Sequence, residues 1–595
     1  MKQSIRSTFL LLVSLSCLLL TSCADAEDHE PDSAAADTPG ASMSEAPEAA
    51  FDAEGLHFSA ASGFYDAEFS LSITAAEGTE IYYTLDGSMP TADSIHYDAP
   101  IRIYDRSQEE NRLSMRTDIA QPAALAKRFL PQKPIDKATV IRAIAVDRNG
   151  KQSAAVSYTY FVGFGQKADY YKDTKVISLI LDESALFDYE TGIYVLGKVY
   201  DDWKNGDEFD AETPDYFMPA NYTQKGRAWE RPATMQFFED GQLAAAQELG
   251  IRIHGGATRS YPQKSLKVYA RKDYGAGKLQ YDLFSGAVCS QTDDAPITEF
   301  DSFVLRNGGN DAQHTRFSDK LVQSLAADRQ FLTQGMEPCI LFINGEFWGQ
   351  YEITEKLDNH FISTHYGVPD KEICLIKKEA LEDGPEEGFA EWEQLRQWIR
   401  ETDFSDREAY EKLCTFVDMQ GFMEYVSTEI YINNADWGKA NMAMWKAQTP
   451  DASNPYADGR WRFVLFDTEY SAGIYGQAQP DEDSFAKLLE SDSFLGDLFG
   501  GALENDDFRA QFRETFLEIA EQDFGLERVD AEIDRLSAAY HDMAIDTYNR
   551  FWSKIVGGYS AESNYQDAVE SLRHFYQQRP EQIEAYLETY TRSST

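Results

Sequence analysis

A helix, a short polar loop and two strands, written in succession between Phe416 and Asp467, constrain this chain more than any other stretch. Phe416, Met419, Phe422, Met423, Val426 and Ile430 recur at helical spacing and predict a buried helix running to Ile432. Asn433-Asn434 is a helix-stopping pair, and Asp436 to Ala440 is then a short loop. Met442 to Trp445 and Arg462 to Phe466 read as strands, separated by a Pro/Asn/Asp/Gly turn region from Pro450 to Gly459. Antiparallel pairing would set the start of the first strand beside the end of the second. Asn441 is therefore expected next to Asp467, with Asp436 a few residues away.

Two carboxylates and a carboxamide at the mouth of a hairpin form an oxygen-rich site for a hard cation. Such a set suits Mg²⁺, with nucleotide phosphates completing the coordination. The order Asp-x4-Asn, strand pair, Asp is also that of protein kinases. There the first Asp orients the acceptor hydroxyl, while the Asn and the last Asp hold metal ions. Asp and Asn in loops also cap neighbouring backbone, and the spacing alone leaves both readings open.

The chain starts with Lys2 and Arg6, then an apolar run from Phe9 to Leu20 that ends Leu20-Thr21-Ser22-Cys23-Ala24. This pattern predicts a signal peptide over 1–22, and the run is too short to span a membrane. Leu-Thr-Ser-Cys resembles a bacterial lipobox, which implies lipidation of Cys23 and an exported protein anchored by lipid to the cell membrane or surface, with plain secretion as the alternative. Residues 23–52 are rich in Ala, Ser, Asp, Glu and Pro and predict a disordered acidic tether. The net charge of −47 argues against nucleic acid as a partner and suits an exported, self-repelling surface. Cys289, Cys339, Cys374 and Cys414 show no paired spacing, so no disulfide framework is expected.

Residues 53–165 read as short strands with turn signals, hence a small β-sandwich, interrupted by an insertion from about Gln108 to Asp136. Tyr82-Tyr-Thr-Leu-Asp-Gly-Ser-Met-Pro-Thr91, continuing to Tyr97-Asp-Ala-Pro-Ile101, resembles the Fn3-like module at the C-terminus of chitobiases and hexosaminidases. Tyr82, Tyr83 and Tyr97 either line a sugar platform or pack the sheet.

Residues 170–595 carry the remaining signals. Val176–Leu181 and Gly192–Val195 read as entry strands; Met235–Phe238 and Gln247–His254 read as a hairpin. The second strand enters Gly255-Gly256-Ala257-Thr258-Arg259-Ser260, followed by Lys264 and Lys267. A strand, a small-residue turn and a lysine-bearing strand can cradle a triphosphate; an ordinary hairpin has the same signature. His314 to Ala327 has helical periodicity, and Asn344-Gly345 marks a tight hairpin leading to Glu355. Residues 379–415 read as an acidic helical insertion, with Trp392, Leu395 and Trp398 on one face. Phe485 to about Tyr590 reads as packed helices.

Five segments taken together resemble the CotH family: Arg252 to Lys264; Leu305 to Asp311 with Arg316 and Asp319; Phe342 to Tyr351 with Glu355-Lys356; Asp436-Trp437 with Asn441; and Trp461 to Asp467. The resemblance implies an α+β chain: an atypical, protein-kinase-like two-lobed domain preceded by the small β-sandwich. It implies Mg²⁺-dependent transfer of the ATP γ-phosphate to Ser or Thr of an exported or surface protein. Asp436 then matches the catalytic base, Asn441 and Asp467 the metal ligands, and Gly255, Gly256, Thr258, Arg259 and Ser260 the nucleotide loop. Lys264, or alternatively Lys267, pairs the phosphates, and Glu355 sits near the adenine hinge. The family's Asn-Ser-Ser turn is here Gly256-Ala257-Thr258, and its Trp-Asp-Leu-Asp is Phe466-Asp467-Thr468-Glu469. The alternative is a surface-anchored binding or scaffold protein with a vestigial kinase fold, engaging glycans or cell-wall partners. A metal-dependent hydrolase would need a histidine cluster that the scattered histidines do not supply.

Overall fold

In the computed structural model, seven strands close on themselves into a barrel. Arg231–Glu239 pairs with Gln242–His254, then the order runs through Ser265–Tyr269, Ser302–Arg306, Glu346–Glu355, Met336–Ile343 and Lys175–Ile180, which pairs back onto Arg231–Glu239. All contacts are antiparallel except Lys175–Ile180 with Met336–Ile343. The structure describes residues 55–120, 130–552 and 560–592. The signal peptide, the tether and Cys23 lie outside the described residues.

The barrel turns follow their sequence. Asn344 and Gly345 both have positive φ, the geometry a two-residue hairpin between twisted strands requires. The Asn344 carboxamide also bonds both the N–H and the C=O of Leu181, at 3.0 and 2.9 Å, tying the turn to the neighbouring strand's end. Gly192–Val195 is not a strand. The N–H groups of Gly192, Ile193 and Tyr194 go to the carbonyls of Asp188, Ala185 and Leu186, and Ile193, Tyr194 and Val195 fill the core from a turn. The helix expected from His314 is only Ser318–Leu325, because the Asp311 carboxylate captures the N–H groups of Thr315 and Ser318 and holds the preceding segment as a tight turn.

The N-terminal sandwich sets Gly63–Tyr65, Val156–Val162, Thr139–Val146, Glu80–Thr84 and Ile95–His96 against the small pairs Leu56–Phe58 with Ile73–Ala75 and Phe69–Leu71 with Ile101–Ile103. Tyr83 and Tyr97 pack edge to face at its core, whereas Tyr82 lies against His96 on the outer face. The module is not hung on a linker. Phe161 and Phe164 pack on Phe342 of the barrel at 5.1 and 5.6 Å. The Glu346 carboxylate, at the barrel's tight turn, accepts the N–H groups of Arg112, Leu113 and Ser114 from the insertion.

The second lobe is a four-stranded antiparallel sheet, in the order Ala380–Asp383, Ile373–Lys377, Ala443–Ala447, Arg462–Val464, packed by helices. The acidic insertion forms the helix Glu386–Glu401, which buries Trp392, Leu395 and Ile399. The long helices Leu526–Phe551 and Ala561–Thr591 span both lobes. Tyr540 donates to Glu352 of the barrel at 2.6 Å, and the buried Arg579 donates to the carbonyls of Ile430 and Tyr431. Cys289, Cys339, Cys374 and Cys414 are free thiols. Among the described residues, no helix is long and apolar enough to cross a membrane.

Candidate functional site

Helix Met419–Ile432 stops at Asn433, which adopts a left-handed backbone and donates to Gln479 O at 2.9 Å. Ala435 N–H bonds Tyr470 O at 2.8 Å and pins the following loop to the far end of the hairpin. Ala443 pairs with Val464, so Asn441 and Asp467 emerge together at the open end. Asn441 Nδ2 lies 3.4 Å from Asp436 Oδ2 and 3.3 Å from the carbonyl oxygen of Asp467. Asp467 has φ of 60°, a left-handed backbone that a non-glycine residue seldom adopts and that is common at functional sites.

A barrel residue completes this mouth. Arg306 Nη1 donates to Asp319 at 2.8 Å, and Nη2 donates to Asp467 at 2.7 Å and Glu469 at 2.5 Å. Asp319 in turn accepts from the Thr468 hydroxyl at 2.8 Å. Gly309 is required here: its φ is +53°, and a Cβ would stand 1.7 Å from Glu469 Oε1. One guanidinium thus faces three carboxylates. Burial pushes the Asp467 carboxyl up, but the Arg306 charge and bonds hold it at about 2, so Asp467 is ionised. Burial, with Asp467 and Asp319 alongside, pushes Glu469 well above the usual carboxylate range against the pull of Arg306. Burial and then the Asp467 charge push Asp436 up to about 6.

The turn after barrel strand Gln242–His254 is closed on itself and clamped from behind. Gly255 has φ of +104°, and Ala257–Ser260 form a tight turn in which the Ser260 hydroxyl bonds Ala257 O. Arg259 is buried and points away from solvent. It donates to Gly255 O, to Gln224 O at 3.1 Å and to Tyr222 O at 3.3 Å. Lys264 is fully buried. Its ammonium holds the carbonyls of Arg259 and Tyr261, each at 2.7 Å, and lies 3.9 Å from the centre of the Tyr222 ring. These two cations clamp the turn from behind, and Lys264 does not reach a ligand in its mouth. Lys267 is half-buried on Ser265–Tyr269; burial, then the charges of Lys356 and Lys377, push it down to about 7.

Glu355 closes the end of strand Glu346–Glu355. Its carboxylate accepts Gly335 N–H at 2.8 Å and lies 2.9 Å from His365 Nε2, so it staples two segments. Reasoning from sequence assigned no chemistry to Arg306, Asp319, Lys377 or Lys378. Arg306 and Asp319 lay inside a motif already singled out, but their partner Asp467 is remote in sequence. Lys377 lies 5.1 Å from the Phe466 ring centre, and Lys378 acts electrostatically on both Asp436 and Asp467.

Among the described residues, no group of three or more His, Cys, Asp or Glu is arranged to hold a metal by itself. The mouth offers instead one ionised carboxylate, one carboxamide and, beside them, the buried and unpartnered Glu469 Oε2. This oxygen-only set fits Mg²⁺, which keeps few protein ligands and shares the rest of its shell with phosphates and water.

A family profile described as CotH kinase protein matches residues 251–583, more than half of the chain. A second, described as Fn3 associated, matches residues 70–160. No curated protein matches the chain. Every residue of the site from Gly255 to Asp467 lies within the first match.

Proposed function

Because the chain belongs to the CotH kinase protein family, we propose that it transfers the γ-phosphoryl group of ATP to a Ser or Thr hydroxyl of an exported or surface protein. The observation that carries this reading is the convergence of Asp436, Asn441 and Asp467 at one hairpin mouth. Asp436 accepts the hydroxyl proton as the new P–O bond forms, the bond to the β-phosphate breaks, and ADP leaves. Asn441 and Asp467 would hold Mg²⁺, which supplies charge neutralisation to the phosphates when bound. Arg306 keeps Asp467 ionised and aimed at the mouth. Lys267, rather than the buried Lys264, is the phosphate-pairing lysine. The lipobox-like Leu20-Thr21-Ser22-Cys23 and the acidic tether support an exported enzyme held by a lipid on Cys23, with its ATP delivered outside the cytoplasmic membrane.

The test is phosphate transfer from radiolabelled ATP to the protein itself or to a mixture of exported proteins. Mg²⁺-dependent label that disappears in Asp436→Asn supports the reading; unchanged label in that variant contradicts it. A second reading, a scaffold without transfer, draws on the Arg306–Asp467 pair, which already neutralises the metal-binding carboxylate. It predicts no nucleotide binding, and a glycan or cell-wall partner for the sandwich.

A further inference from the structure

Residues 196–219 lie between the buried stretches 192–195 and 220–222, and none of them is itself buried. Asn221 closes the base of this loop. Its N–H bonds Leu196 O at 2.9 Å, and its carboxamide oxygen accepts Val199 N–H at 3.1 Å. Its carboxamide nitrogen donates to Tyr189 O and Gly192 O, each at 3.1 Å. Gly197 is needed at the closure, because its φ is +60° and a Cβ would run into the Asn221 carboxamide. The loop is thus fixed at its ends, yet it carries Tyr200, Trp203, Phe209, Tyr216 and Phe217 at the surface. Phe209 is 45% exposed and Phe217 50%. The rings gather in two groups: Trp203 meets Phe209 edge to face at 5.1 Å with Tyr200 at 5.9 Å, and Tyr216 meets Phe217 at 4.7 Å. Aromatic surface held open on a fixed loop marks a contact site.

The charge of the loop says what kind of contact. It has seven acidic residues against two lysines, Lys198 and Lys204. Both lysines are used within the loop: Lys198 pairs with Asp202, and Lys204 lies 5.6 Å from the Tyr200 ring centre. The five acidic residues from Asp207 to Asp215 are all exposed. Asp215–Phe217 packs on the Ala257–Ser260 turn, and Arg259 of that turn holds the carbonyls of Tyr222 and Gln224. The loop therefore stands beside the turn that the transfer reading gives to the nucleotide.

We propose that this loop is the docking surface for the acceptor protein, and that it takes a Lys- or Arg-rich segment near the Ser or Thr to be modified. Naming the partner as the acceptor rests on the nucleotide-transfer reading above; the cationic chemistry of the segment rests on the loop itself. A cationic side chain satisfies both features of the surface at once, its stem and charge lying on the aromatic faces and its head meeting the carboxylates. An anionic polymer is repelled, and a neutral glycan has no charge to match the carboxylates. Docking beside the nucleotide turn raises the effective concentration of the hydroxyl at the hairpin mouth.

The experiment measures, by fluorescence anisotropy without nucleotide, binding of the full chain to a labelled peptide with one Ser among alternating Arg and Ala. Phosphate transfer to the same peptide is then followed with Mg-ATP. Three variants are compared with wild type. One joins Phe209→Ala to Phe217→Ala; a second joins Asp207→Asn, Glu208→Gln and Glu212→Gln. The third removes the same charge from exposed positions of the second lobe, as Glu387→Gln, Glu393→Gln and Glu408→Gln. Each loop variant is expected to bind about tenfold more weakly and to raise KM by the same factor with kcat unchanged. The charge control stays within about twofold of wild type, and wild-type affinity falls as salt is raised. No binding by wild type, unchanged binding in either loop variant, an equal loss in the charge control, or displacement of the peptide by a chitin oligosaccharide overturns the proposal. Binding that the loop variants weaken, with no phosphate transferred by wild type, contradicts the transfer reading and leaves the cationic-segment site standing. Transfer at wild-type KM in both loop variants does the reverse.

Discussion

Arg306 Nη2 lies 2.7 Å from Asp467 Oδ1, joining the end of a barrel strand to the mouth of a hairpin in the helical lobe. The same guanidinium holds Asp319 and Glu469, so the cleft between the lobes is pinned at the point where the chemistry is assigned. Removing it would leave three carboxylates, two of them buried, without their cation.

Arg306→Ala is therefore expected to destabilise the protein by roughly 3–5 kcal/mol, the usual cost of breaking a buried ion pair on one side. Chemical denaturation monitored by circular dichroism measures it. A loss below about 1 kcal/mol, the surface-pair value, would show that the pair is not structural.

Lys264 and Lys267 separate by the same kind of measurement. Lys264→Met leaves the carbonyls of Arg259 and Tyr261 without their donor, and should cost about 1–3 kcal/mol of stability in the absence of nucleotide. Lys267→Met, which removes a cation held down to about 7 by burial and by Lys356 and Lys377, should not lower that stability at neutral pH and should weaken Mg-ATP binding by at least about tenfold. Calorimetry on both variants distinguishes clamp from ligand.

Asp436 gives a pH signature in metal-free buffer. Its carboxyl is pushed up to about 6 in the folded chain, so the folded state binds the proton more tightly than the unfolded chain does. The contribution to stability is complete below the ordinary carboxylate pKa and is lost as pH rises through about 6. Asp436→Asn should accordingly be more stable than wild type at pH 7.5 and no more stable at pH 4. Melting curves at the two pH values check the sign; a variant destabilised at pH 7.5 contradicts it.

The sandwich and barrel share a core through Phe161, Phe164 and Phe342. A chain starting at residue 168 would expose Phe342 and leave Glu346 without its three N–H partners. Its melting temperature should fall by several degrees or more, or the fragment should aggregate. A truncated chain as stable as the whole would make the module a separable appendage.

What was legible in the sequence was local. The Asn441–Asp467 approach follows from two short strands and the turn region between them. The turn at Asn344-Gly345 follows from its residue types. Barrel closure was not legible, because Lys175–Ile180 finds its parallel partner in Met336–Ile343 across most of the lobe. Nor was the Arg306–Asp467 pair, whose members stand 161 residues apart. The burial of Lys264 was not legible because its side-chain direction is set from outside the motif: Tyr194 and Tyr222 supply its surroundings, and Tyr194 OH accepts its backbone N–H at 2.9 Å. The Glu355 contacts were not legible either, because His365 and Gly335, which engage its carboxylate, carry no signal of that role.

The most direct test of the central claim is the melting temperature of the protein with ATP, with and without Mg²⁺, in wild type and in Asp467→Asn. A ligand that binds only the folded state must raise it. The account predicts a rise of several degrees that requires Mg²⁺ and is absent from the variant. No rise in wild type, or an equal rise in Asp467→Asn, would contradict a nucleotide–metal site at this hairpin mouth.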